Sequence, residues 1–241
     1  MSPWPMSPPA APPWILRMAW HDLCFMHWPV DAGAIARTLP RGVTLDTYQG
    51  RAYLGVVPFQ MSDVAPRLVP GMPGLSNFSE LNLRTYVMAG GEPGVWFYSL
   101  DAAQPLGVRL ARRFFHLPYF DARMWISRER GITRYASLRT HHGEPPARFA
   151  AAYRPIGDPV AAPPGSLEDW LTHRLNLYSA DPRGNVYRGR IEHHAWPLRR
   201  AEAVIGENTL ADSLGLTLDG PPHLLHAEEL RVCAHWLERV T

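Results

Sequence analysis

Residues 78–101 read FSELNLRTYVMAGGEPGVWFYSLD, and they decide the fold. Two runs rich in aromatic and apolar residues, 78–88 and 95–101, flank AGGEPG, a link of Gly and Pro that signals a turn. Runs joined this way read as an antiparallel hairpin. Side chains alternate along a strand, so Phe78, Glu80, Asn82, Arg84, Tyr86 and Met88 share one face, and Ser79, Leu81, Leu83, Thr85 and Val87 the other. If the turn pairs Met88 with Val95, Tyr86 faces Phe97, Arg84 faces Ser99 and Asn82 faces Asp101. One face then collects Glu80, Asn82, Arg84, Ser99 and Asp101 beside Tyr86 and Phe97, while Leu81, Leu83, Val87, Trp96, Tyr98 and Leu100 form a core face. The polar set is either a solvated cross-strand ladder or the lining of a cavity. The interleaved Phe78, Tyr86 and Phe97 favour the cavity. In a cavity Arg84 needs an acid or a ligand, because an unpaired buried charge is costly. The expected partners are Asp101 and Glu80.

Similar runs extend outward on both sides. WILRMAWHDLCFMHW (14–28) reads as one or two strands, and DAGAIART as a short helix capped by Asp31. VTLDTY and RAYLGVVPF form a second hairpin pattern, and 63–77 reads as loop. A helix is expected over about 105–115, and strands at YFDARMWIS, ITRYASLRT and ARFAAAYR. Ser166 and Asp169 open a short helix in SLEDWLTHRL. Then come NLYSA, a turn at DPRGN, VYRGRIEHHAW, LRRAEAVI, a short helix near ENTLADSLG and a last strand near LLHAEELRVCAHW. Strands that come in hairpins and do not alternate with helices predict a mainly β, antiparallel fold with a few short helices. Domain organisation follows: a flexible Pro-rich arm over 1–13, then a single domain over 14–241.

Composition narrows the chemistry. The 241 residues carry 25 Pro and 19 Gly, which argues against a helical bundle. The net charge of +2 does not by itself imply nucleic acid. No run of 18 apolar residues occurs, so no membrane partner is expected. All 24 basic residues are Arg, and there is no Lys. A chain without Lys forms no side-chain Schiff base and holds no pyridoxal phosphate or P-loop Lys. The two cysteines, Cys24 and Cys233, form no redox motif and point to a reducing cytosol. His193-His194, His141-His142 and the His223/His226 pair are weak metal signals and read as surface or hydrogen-bonded histidines. No cofactor or metal is expected, and a homo-oligomer stays open.

HW at 27–28, LPRGVTLDTYQGRAYLGVVPF at 39–59, FSELNLRTYV at 78–87, PGVWFYSLDA at 93–102, LPY at 117–119, SLEDWLTHRLNLY at 166–178 and IEHHAWPL at 191–198 resemble the YqjF-like family of uncharacterised bacterial proteins. The likeness covers about 14–237. It implies the fold of acetoacetate decarboxylase, a cone-like antiparallel β-barrel with a buried pocket. The decarboxylases work through a Lys imine, for which this chain has no counterpart, so the resemblance carries Glu80 and Arg84 as pocket positions but not that activity. The expectation is an interior pocket for a small ligand bearing a carboxylate or carbonyl. Arg84 and Asn82, with Tyr86, Phe97 and Ser99, would bind it, and Glu80 or Asp101 would transfer protons in cofactor-free acid–base chemistry. The alternative is a non-catalytic binding, sequestering or interaction protein.

Overall fold

The computed structural model describes residues 13–72 and 76–240. The expected arm over 1–13 lies, but for Pro13, outside the described residues. In chain order the elements are β1 (Leu16–Val30), α1 (Ala32–Ala36), β2 (Thr44–Leu45), β3 (Ala52–Pro66), β4 (Phe78–Ala89) and β5 (Glu92–Ala102). They continue with α2 (Pro105–Phe115), β6 (Tyr119–Glu129), β7 (Ile132–Arg139), β8 (Arg148–Val160) and α3 (Leu167–Thr172). The chain ends in β9 (Asn176–Ala180), β10 (Val186–His193), β11 (Leu198–Asn208), a 3-10 turn at Asp212–Leu214, β12 (His223–Ala234) and β13 (Glu238–Arg239). Helix starts are set locally. The Asp31 side chain accepts from the Ala34 N–H, Ser166 accepts from Asp169, and Gln104 caps α2 just before Pro105.

All the strands join one sheet, which closes on itself twice. The strands β12-β1-β3-β4-β5 form a shared wall. On one side β6-β7-β8-β11 bridge β5 to β12, and on the other β9-β10 bridge the same two strands. Pairing is antiparallel except at two short parallel contacts, β5 with β6 and β5 with β9. The mainly β, antiparallel fold expected from the strand pattern is therefore present, and the sheet closes on itself as the family resemblance implied. Both faces of the wall are covered. Cys24, Met26, Leu54, Val56, Leu81 and Leu83 pack on Tyr135, Phe149 and Tyr153. On the opposite face Phe25, Val57 and Phe59 pack with Trp196 and Leu225. Among the described residues no helix is long and apolar enough to cross a membrane.

Three sequence expectations are corrected. The turn of the deciding hairpin is tighter than AGGEPG: Ala89 pairs with Glu92, and Gly90 and Gly91 alone make the bend at φ 58° and 80°. Two residues at positive φ match the strand twist, and glycine takes that conformation without strain. Arg84 consequently lies opposite Phe97, and Tyr86 opposite Val95. Second, a bulge at Tyr98 shifts the register, so Ser99 lies opposite Leu83 and Asp101 opposite Leu81. An extra residue reverses which side chains share a face. Ser99 and Asp101 therefore sit with the leucines, not with Glu80, Asn82 and Arg84. Third, β3 runs on to Pro66, into the stretch read as loop.

Candidate functional site

The even face of β4 carries Glu80, Asn82, Arg84 and Tyr86, and across β3 and β1 the same face carries Phe59, Gly55 and His27. Glu80, Asn82, Tyr86 and His27 are all buried, and Arg84 is half-buried. The short helix α3 lies against this face. Arg84 Nη2 donates to the Leu171 carbonyl at 3.4 Å and the Tyr86 hydroxyl donates to it at 2.9 Å. The neighbouring carbonyls at the end of α3 accept from Arg174 Nε at Trp170 (2.6 Å) and from Trp196 Nε1 at Thr172 (2.9 Å). Carbonyls that a helix end leaves without partners are thus held by side chains around the site.

Arg84 does not pair with Glu80 or Asp101. Among the described residues no carboxylate comes within ion-pair distance of it. Its guanidinium carbon sits 5.4 Å from the Phe25 ring centre and 5.8 Å from that of Tyr86, and its Nε is buried with no hydrogen-bond partner. The expected acid is elsewhere: Asp101, turned to the far face by the bulge, accepts from Arg139 Nε at 2.8 Å and Nη2 at 3.3 Å. Burial raises the Asp101 carboxyl above its ordinary range, against the pull of Arg139 and His141. Ser99 is on that far face too, with a buried and unpartnered hydroxyl. Phe97 packs with Tyr53, Tyr86 and Leu171, beside Arg84.

Glu80 accepts from the Tyr119 hydroxyl at 2.7 Å. Burial pushes its carboxyl up to about 8, with hydrogen bonds from Tyr119 and Asn82 opposing the rise. Its side chain is therefore largely protonated at neutral pH. Asn82 Oδ1 is buried without a partner.

His27 was not among the residues singled out from the sequence. Its Nε2 lies 2.6 Å from the Tyr86 hydroxyl, its Nδ1 is buried and unpartnered, and the residue is 0% exposed. Burial, then the Arg84 and His223 charges, holds the ring well below the usual histidine range, so it is neutral. A glycine inside the RAYLGVVPF strand was the available signal, since such a glycine often marks a close approach by a neighbour.

Two clefts open near α3. One of about 580 Å³ is lined by Glu168, His223 and Leu225, and His223 is the cross-strand partner of His27. The other, of about 970 Å³, is lined by Trp170, Arg174, Asn176 and His193, and the Trp170 ring lies 4.6 Å from that of Tyr86. Glu80, Asn82, Arg84, Tyr86, Phe97, Ser99 and Asp101 line neither cleft, whereas His223 lines the first and His193 and His194 the second. No group of three His, Cys, Asp or Glu that could hold a metal occurs among the described residues.

The family model of DUF2071, described as an uncharacterized conserved protein, matches residues 17–231. The uncharacterized protein YqjF of Bacillus subtilis (strain 168) is 44% identical over 223 residues, covering 92% of this chain and 91% of YqjF. Among solved structures, the enduracididine biosynthesis enzyme MppR complexed with pyruvate is 14% identical, with a TM-score of 0.67 over 96% of this chain and 92% of its own. Acetoacetate decarboxylase from Legionella pneumophila is 12% identical, with a TM-score of 0.67 over 100% of this chain and 92% of its own. At these identities the structures establish the fold alone, that of acetoacetate decarboxylase. The chain belongs to the DUF2071 family.

Proposed function

We propose that this DUF2071 protein binds a small organic acid, or a carbonyl compound carrying a carboxylate, on the face shared by Glu80, Asn82, Arg84 and Tyr86. The observation that carries this reading is Arg84. A guanidinium is always charged, and withdrawing it from water without a counter-ion is costly. A ligand carboxylate supplies the missing acceptor in a charge-assisted, fork-like pair. Phe25, Phe97 and Tyr86 give the remainder of such a ligand an apolar wall. That MppR, a protein of the same fold, has been solved complexed with pyruvate supports an acid of this size.

With no Lys, the bound molecule is handled without an imine. Glu80, protonated near neutral pH, is the group suited to giving a proton to a ligand carbonyl or enolate oxygen, in chemistry that needs no cofactor. Asp101 is satisfied by Arg139, and Glu80 alone carries the acid–base part of the proposal. Both cysteines are buried and neither forms a disulfide, in keeping with a cytosolic setting. The alternative, binding without turnover, rests on the same Arg84.

Calorimetric titration of the full chain with short carboxylic acids and their neutral amides tests this. The acids are expected to bind and the amides not, and Arg84→Gln is expected to lower acid affinity by at least about tenfold while circular dichroism stays that of the parent. Equal binding of acids and amides, or an Arg84→Gln protein with parental affinity, would overturn it.

A further inference from the structure

We propose that α2 rests on an anionic lipid surface, with Leu106, Leu110 and Phe114 in the interface and the helix arginines among the headgroups. None of these residues belongs to the acid-binding face.

A helix on the outside of a protein normally turns its apolar residues inward and its polar ones out. On α2 the inward side is ordinary: Val108 is buried, and Ala111 and Phe115 are half-buried. The outward side is not. Leu106, Leu110 and Phe114 are each 49% exposed. Spaced four apart, they fall within about 80° of the helix circumference and make one apolar stripe. Trp236, 58% exposed, packs on Phe115 with ring centres 5.8 Å apart, at the same end of the helix as Phe114. Contiguous exposed apolar surface marks a place where something docks.

The charges beside the stripe decide what covers it. α2 carries Arg109, Arg112 and Arg113 and no acid. Arg109 and Arg113, four apart, run alongside the stripe, and Arg112 lies farther round. Arg109 is held by Asp121, its two terminal nitrogens donating at 3.0 and 2.8 Å. Arg112 donates to the Tyr119 carbonyl and lies over the Phe120 ring, and Arg113 lies over Phe114. Among the described residues neither meets a carboxylate. A second copy docked through a two-fold axis would set this stripe and its arginines against themselves, with no acid on the helix to answer them. A protein partner would need a groove matched both to the stripe and to the arginines. An anionic bilayer needs no matched shape. It offers diffuse negative charge to the arginines and a fluid apolar layer to Leu106, Leu110 and Phe114. The long Arg stems let the charged heads stay at the phosphates while the stripe lies deeper. Trp236, with an apolar body and one N–H, suits the same boundary. The lack of a spanning run argues only against crossing the bilayer, and a helix lying on its surface needs none.

The test is cosedimentation of the full chain with vesicles of phosphatidylcholine alone and of phosphatidylcholine mixed with phosphatidylglycerol. Binding is expected to the mixed vesicles only, and to weaken as salt rises. It is expected to fall about tenfold or more when Leu106→Ser and Leu110→Ser are combined, and about fivefold in Arg113→Gln. All three positions are exposed, so circular dichroism should stay that of the parent. No binding to either vesicle, equal binding to both, or parental binding by the folded double variant would overturn the proposal. A dimer in sedimentation velocity that the double variant disperses would also overturn it, by giving the stripe to a second copy.

Discussion

Gly55 and His27 meet across β1 and β3 with no space for a side chain on the glycine: a Cβ there would stand 2.9 Å from His27 Cδ2 and 3.0 Å from Nε2. It would also lie 3.5 Å from Cγ of Arg84. The imidazole cannot simply swing aside, because it is fully buried and tied to Tyr86. Gly55→Ala is therefore expected to destabilise the fold by about 1–3 kcal/mol, the usual scale of overpacking. Urea unfolding of the two proteins measures this. A parental midpoint would mean the ring has another place to go.

Asp101 and Arg139 are a buried pair, with side chains 1% and 4% exposed. Arg139→Met leaves the carboxylate buried and uncompensated, and is expected to lower stability by about 3–5 kcal/mol. Removing both charges as Asp101→Leu with Arg139→Met should recover most of that loss, because neither variant side chain needs a partner. A double variant as unstable as the single one would show that the pair does more than neutralise itself.

Glu80 makes stability depend on pH. Its carboxyl is raised from 4.5 to about 8 in the folded chain. Between those values the folded protein keeps a proton that the unfolded chain has released. The Glu80 contribution is thus full below about pH 4.5 and declines as pH rises toward about 8, by roughly 1 kcal/mol per pH unit. Glu80→Gln cannot ionise and should lose this decline. Unfolding midpoints of both proteins at several pH values across that interval compare the slopes, and identical slopes would rule out a buried, titrating Glu80.

Borohydride treatment in the presence of pyruvate or acetoacetate should trap no internal adduct, since no side chain can form the imine. Mass spectrometry of the digested protein is the readout. A stoichiometric mass increase on any residue other than the N-terminal amine would contradict this.

Alternation made most strands legible. FSELNLRTYVM and RAYLGVVPF declare their faces in their own spelling, and β4 and β3 follow them. The site was legible only in part, for two physical reasons. Nothing in VWFYSLD marks the bulge at Tyr98, because any residue can be the extra one, yet that bulge moved Ser99 and Asp101 to the opposite face. His27, in an apolar run, owes its role to a partner 59 residues away, Tyr86. Arg84, Asn82 and Glu80 could be placed together because period-two spacing within one strand needs no knowledge of any other.

The wall β12-β1-β3-β4-β5 belongs to both closures of the sheet, so the two compartments are not independent folding units. Opening the side that holds Arg84 and His27 by separating any of these strands also breaks the packing of Leu81, Leu83 and Met26 behind it. Amide protons on β3 and β4 should then exchange only through global unfolding, whichever compartment their side chains face. A polar, electrostatically expensive cluster is in this way clamped between two oily layers, one beside it around Phe25 and Trp196 and one on the reverse of the same strands, and neither can loosen alone.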